Sequence, residues 1–380
     1  RPPRSTPFPY TTLFRSDSAC RALRGVALAR LGRREEAEQE FAHAVAAAGA
    51  AELPVVLRQL RAALAPDRAL TVCLGVLPAS RGPTLTQHVI QMLIQTGRMD
   101  EARTELRRLK ETHPAAARTD LLEAELAAAD GATDQALAGV EAAIRREPTD
   151  PAAYLLRAQL RFASLDAQVQ EEVRADLQKA IALNPEFPAP REMLAEWLAR
   201  RGRWSAAIEQ FTRLTQLAPA RIDYRLALVD ALLAGGRVEH AASLLAEWAA
   251  ADPGRAEWHL MRARVYRTAN RDRQDVRREY EAALAAQPTA EVLAEFAAHL
   301  ASAGEAALAL ELLEAPTPVM DAPRLLAVKA RVLTLLGQGE AAALTLRNAL
   351  EAGGKEDGLV TRLIREFEPN VPPALAAQIL

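Results

Sequence analysis

The residues best suited to chemistry in this chain are six histidines, two cysteines, one glycine–glycine–lysine step and many carboxylates. A metal site needs ligands at short helical or turn spacing, and a nucleophile needs a base within reach. His43, His88, His113, His240, His259 and His299 include no pair four residues apart and no HExxH. Neither they nor Cys20 and Cys73 fall at metal-ligand spacing. Gly353-Gly354-Lys355 is followed by Glu356 where a phosphate-binding loop carries Ser or Thr, and no strand precedes it, so it reads as a helix stop. There is no GxSxG elbow and no GxGxxG after a strand. Glu35, Glu36, Glu171 and Glu172 fall on solvated helix faces, whereas paired catalytic acids need a pocket that raises one pKa. His240 and Trp248, eight apart on one helix face, read as surface and core. The expectation is a non-catalytic chain with no metal ligands and no cofactor.

The elements behind these residues follow from composition. Of 380 residues half are apolar and a quarter charged, with a net charge of −2, which excludes disorder. The balance also argues against nucleic acid, whose binding needs clustered positive charge. Aromatics make up only 4% while alanine is plentiful, as suits closely packed helices. Only four of the 47 basic residues are lysine (Lys110, Lys179, Lys329, Lys355). No apolar run approaches the roughly 18–20 residues of a membrane span. The length allows two or three globular domains, or one repeat array.

The segment PYTTLFRS, residues 9–16, resembles a sequencing adapter translated in one frame (CCC TAC ACG ACG CTC TTC CGA TCT). Residues 1–16 are therefore expected to be a non-native leader, with the natural sequence starting near Asp17 and the natural N-terminus missing. The compartment, cytoplasmic or periplasmic, stays open on this reading.

Six prolines, Pro114, Pro148, Pro185, Pro219, Pro253 and Pro288, are spaced 34, 37, 34, 34 and 35 apart. Twelve residues before each stand Ala102, Ala136, Val173, Ala207, Ala241 and Val276, and eight before stand Leu106, Val140, Leu177, Phe211, Leu245 and Tyr280. Seventeen before, Gly97, Gly131, Gly202 and Gly236 recur, absent only from the two long units, whose extra residues are expected in that turn. A glycine between two apolar-periodic segments ends one helix in the left-handed conformation, and a proline ends the next. Small residues let the helices cross closely, and a large residue one turn on fills the space beside them. Each unit thus holds two antiparallel helices of roughly 13 residues that must stack on neighbours to bury their apolar faces.

This pattern resembles the tetratricopeptide repeat (TPR) family, bacterial type, over most of the chain from residue 17. The clearest units run over Met193–Pro219 and Val89–Pro114. Gly25, Gly32, Ala37, Phe41 and Ala44 restore the register near the start, and Ala330, Gly337, Ala342, Leu346 and Ala349 near the end. The resemblance implies an all-α, right-handed superhelical solenoid of about ten antiparallel helix pairs over residues 17–350, with a concave groove lined by first helices. Residues 52–82, where Pro54 and Pro66 interrupt the pattern, and 290–315 are expected to be degenerate repeats. Residues 351–380 are expected to form a capping helix over Leu359–Phe367, with Arg362, Arg365 and Glu366 on its polar face, and a tail.

One first-helix position recurs eleven residues after each proline and reads Glu125, Gln159, Glu196, Asp230, Arg264 and His299, extended by Gln91 and Arg331. The row is acidic or amide-bearing up to Asp230 and basic from Arg264, with Arg267 beside it. Such a surface would orient a charged protein segment, its basic part toward the first half. TPR domains that hold acidic chaperone tails resemble one another in a lysine and asparagine clamp. Here Leu121, Leu155, Glu192, Leu226, Leu260 and Glu295 stand seven residues after the prolines, with no lysine among them, so that clamp is not expected. The four leucines read as packing between repeats.

The resemblance therefore implies a scaffold that binds protein or peptide partners, in the style of bacterial repeat proteins of cell-envelope polysaccharide export. The alternative is the C-terminal targeting region of a larger kinase or glycosyltransferase whose catalytic domain lies upstream. Self-association through terminal repeats is a third reading, and the oligomeric state stays open.

Overall fold

Alanine-rich segments with apolar residues at helical spacing, punctuated by glycine and proline, form helices and tight turns only. The computed structural model describes residues 17–77, 82–113, 118–315 and 323–353. The expected leader, Pro114 and the expected capping helix and tail beyond residue 353 lie outside the described residues. The helices begin with α1 (Asp17–Arg30), α2 (Arg34–Ala47), α3 (Leu53–Ala63), α4 (Pro66–Val76), α5 (Pro83–Gln95) and α6 (Met99–Thr112). They continue as α7 (Thr119–Ala129), α8 (Thr133–Arg146), α9 (Pro151–Arg161), α10 (Ala167–Leu183) and α11 (Pro188–Arg200). Next come α12 (Trp204–Leu217), α13 (Ile222–Ala234), α14 (Val238–Ala251), α15 (Ala256–Thr268) and α16 (Arg273–Ala286). The last are α17 (Ala290–Ser302), α18 (Ala306–Glu314), α19 (Pro323–Leu335) and α20 (Gly339–Gly353). The fold is all-helical, with the twenty helices arranged as successive pairs. It divides between Leu194 and Ala195 into two compact units.

The small-then-large pattern is the core of both units. Ten second helices carry it: Ala37/Phe41, Ala69/Cys73, Ala102/Leu106, Ala136/Val140 and Val173/Leu177, then Ala207/Phe211, Ala241/Leu245, Val276/Tyr280, Ala309/Leu313 and Ala342/Leu346. All twenty side chains are buried. Each fully buried large residue is worth roughly 1.5–3 kcal/mol of apolar transfer. The pattern persists through the two worn stretches. Pro54 and Pro66 lie in the first turns of α3 and α4, where a missing N–H breaks no helical bond.

The turns explain the unequal periods. Gly97, Gly131, Gly202 and Gly236 have φ between +66° and +78°. At each, the next amide reaches back five residues, as Arg98 N–H does to Leu93 C=O at 2.9 Å. In the 35-residue unit Asn270 takes this role, with φ +51° and the Arg271 amide bonded to Tyr266 C=O at 2.9 Å. Asparagine is the residue after glycine that most readily adopts this conformation. The 37-residue unit has no left-handed residue in its turn, and there the expectation of a longer turn is only part of the answer. α10 starts six residues before Val173, whereas α14 starts three before Ala241, so the second helix takes up the extra length. Its buried Gln170 donates to the carbonyls of Phe162 (3.0 Å) and Ser164 (2.7 Å), satisfying the open end of α9 in place of a glycine turn.

Candidate functional site

The first helices lie side by side within each unit, α1 on α3, α3 on α5, α5 on α7 and α7 on α9 in the first, α13 on α15 and α17 on α19 in the second. This stacking places residues one repeat apart next to each other. Four side-chain bonds span 34 residues: Ser18 Oγ to Glu52 (2.6 Å), Arg61 Nη2 to Gln95 (3.0 Å), Gln91 Nε2 to Glu125 (3.1 Å) and Arg264 Nη1 to Asp230 (3.1 Å). The recurring polar positions are thus bonded along the row, one repeat to the next.

In the first unit the row holds Gln91 on α5, Glu125 on α7 and Gln159 on α9. Glu125 Oε1 accepts from Gln91, and among the described residues the carboxylate has no ion pair. Burial raises its pKa above the usual carboxylate range, a shift that the Gln91 bond and the charges of Arg118 and Arg61 oppose and that of Asp150 assists. Arg118 Nε lies 2.9 Å from Asp150, and Arg61 bonds Gln95, so neither guanidinium touches Glu125. His88, one turn before Gln91, donates Nδ1–H to Thr84 C=O, and burial lowers its pKa, keeping the ring neutral at pH 7. Gln159 is exposed.

In the second unit the row holds Glu196, Asp230, Arg264, His299 and Arg331. Arg264 is only 13% exposed and binds three carboxylates. Its Nε and Nη2 take Glu295 at 3.0 and 2.6 Å, Nη1 takes both oxygens of Asp230, and Nη2 also takes Glu291 at 2.6 Å. Burial works against the guanidinium's charge, but the Glu295 bond and the three negative charges outweigh it and raise its pKa. Half-exposed Asp230 still lies above its ordinary value, because desolvation and the charges of Glu295 and Glu291 outweigh Arg264. What this position presents to a ligand is therefore the whole cluster, three carboxylates to one guanidinium, and not a bare cation. Arg267 donates to Tyr280 Oη at 3.3 Å, and the His299 ring packs 5.7 Å from the Tyr280 ring. Desolvation, then Arg267, lowers the His299 pKa. Glu196 and Arg331 are exposed.

Glu291 and Glu295 stand outside the row as read from sequence. Their signal was available: Glu295 replaces a leucine of the neighbouring row, four residues before His299, where the next first helix can reach back to Arg264. Of those leucines, Leu121, Leu155 and Leu260 are buried and Leu226 half-buried. Cys73, in the core position of α4, is pushed up to about 12 by burial, which keeps it a thiol at neutral pH. Among the described residues no group of three or more His, Cys, Asp or Glu is placed to hold a metal ion, and no helix is long and apolar enough to cross a membrane.

The family model described as "Tetratricopeptide repeat" matches residues 198–265, which span α12 to α15 with their glycine turn and ion-pair row. The chain is a tetratricopeptide repeat protein, of the helical-repeat class that serves as protein-interaction scaffold. A tetratricopeptide repeat protein from Parabacteroides merdae is similar at 15% identity, over 75% of this chain and 98% of that one, with a TM-score of 0.45. TTC0263 from Thermus thermophilus is 21% identical over 57% of this chain and 99% of that one, with a TM-score of 0.39. YrrB, described as a TPR protein with an unusual peptide-binding site, is 18% identical over 52% of this chain and 97% of that one, with a TM-score of 0.42. No match was found among curated proteins.

Proposed function

We propose that the protein is a non-catalytic scaffold that binds segments of partner proteins on its first-helix faces. The observation that carries this reading is the set of bonds between first-helix side chains 34 residues apart, which fixes successive helices into one rigid polar surface. A surface ordered before binding pays little entropy when an extended or helical segment settles on it. Mixed carboxylate, amide and guanidinium groups along such a face favour partners with charge of their own over purely apolar ones.

Hydrogen–deuterium exchange of the chain with peptides selected from a displayed random library tests the assignment. Protection is expected on first helices such as α5, α7, α13 and α15. Protection confined to second helices such as α6, α8, α14 and α16 would contradict it.

A further inference from the structure

Glu125 and Asp230 occupy the same repeat position, eleven residues after a proline, and each lies on a first helix. One repeat further on, Asp230 meets Arg264, whose Nη1 bonds its two oxygens at 3.1 and 3.2 Å. The corresponding neighbour of Glu125 is Gln159, exposed and with no side-chain hydrogen bond among the described residues. Glu125 therefore keeps one oxygen on the Gln91 amide and has no cation on the other. Arg61 and Arg118 are committed to Gln95 and Asp150. A half-buried carboxylate with a free oxygen, oriented by an amide and lacking its counter-ion, costs stability that an incoming cation would recover. The second unit shows which cation this position takes when one is in reach: a guanidinium from the side of the following repeat.

We propose that Glu125, oriented by Gln91, receives the guanidinium of an arginine in the bound partner segment, entering across Gln159 where Arg264 enters in the second unit. This rests on the first-helix face being a binding surface. Gln91 acts as a positioning residue, since its amide fixes one carboxylate oxygen and leaves the other facing the ligand. Arginine fits better than lysine because its planar fork can bind a carboxylate through two parallel hydrogen bonds.

The test uses the full chain and a displayed library of random 12-residue peptides, with a selected peptide then resynthesised with its arginine replaced by neutral, isosteric citrulline. Binders of the first unit are expected to carry arginine and to lose at least about tenfold in affinity with citrulline or with Glu125→Gln. Glu125→Gln should melt no lower than the wild type, a combination that a merely structural role for Glu125 does not produce. Gln159→Arg places a guanidinium one repeat from Glu125, as Arg264 is from Asp230, and should raise the melting temperature while blocking the peptide. Peptides protecting first helices but binding Glu125→Gln as tightly as wild type would overturn the arginine site and leave the surface reading standing. No binder, or binders on second helices alone, would overturn both. A lowered melting temperature in Glu125→Gln would also overturn the proposal.

Discussion

The two units use the same repeat position in opposite ways. In the first, Glu125 rests on an uncharged amide and lacks a cation; in the second, Asp230 is joined by Arg264, which also binds Glu291 and Glu295. The helices, the turns and the buried small-then-large pairs are alike in both. The difference lies in two substitutions, Gln159 against Arg264 in the row and Leu155 against Glu295 in the neighbouring one. One surface is satisfied from within, and the other leaves a charge for a ligand. A repeat architecture can therefore hold its core constant while single row positions decide where it is open to a partner.

Breaking the second unit's arrangement should have the largest effect. Arg264→Met strands Glu295, which is 11% exposed, among other carboxylates and should cost about 3 kcal/mol, read by urea denaturation. Loss below about 1 kcal/mol would mean the cluster contributes no more than an exposed surface pair.

Matched overpacking should separate the row from the core. Ala102→Trp and Ala207→Trp, both at fully buried helix crossings, should each cost roughly 1–3 kcal/mol or more. Similar melting shifts in the two variants are expected. An unchanged melt in either would show that its crossing is not where the pattern places it.

A smaller effect should appear in the pH dependence of Glu125→Gln. The Glu125 pKa is raised in the folded state, so the native protein binds this proton more tightly than the unfolded chain. The charged carboxylate is therefore a cost at pH 7, relieved as pH falls through the raised value. His88, Arg61, Arg118 and Asp150 supply the neighbouring charges, of which Asp150 adds to the cost and Arg118 and Arg61 reduce it. The stability advantage of the glutamine variant should be greatest at neutral pH and shrink toward zero on acidification. An advantage that grows on acidification would reverse the sign of the argument.

Much of the architecture was legible because burial and turn geometry leave few residue choices. A crossing that admits only a small side chain writes Ala or Val at a fixed offset, and a left-handed turn writes Gly. Asn270 escaped because asparagine has other common uses, and the early start of α10 escaped because a helix extended by three polar residues looks like a long loop. The row itself was legible as positions and not as contacts. Apolar periodicity identifies which face of a helix is exposed, but it does not say whether a polar side chain there meets water or the residue one repeat away. Complementary types at a separation of 34, as in Arg61 with Gln95 or Asp230 with Arg264, carried that information. Glu295 was hidden because it stands in a row otherwise read as leucine.

The account turns on whether Arg264 and Glu125 differ as described, and paired double-mutant cycles measure this directly. One cycle removes Arg264 and Glu295 singly and together, and the other does the same for Gln91 and Glu125, each followed by denaturant unfolding. A coupling of about 1.5–3 kcal/mol for the first and about 0.5 kcal/mol for the second is expected, the values of a charge-assisted and a weak amide hydrogen bond. Equal couplings in the two units would contradict the claim that one surface is satisfied from within and the other is open.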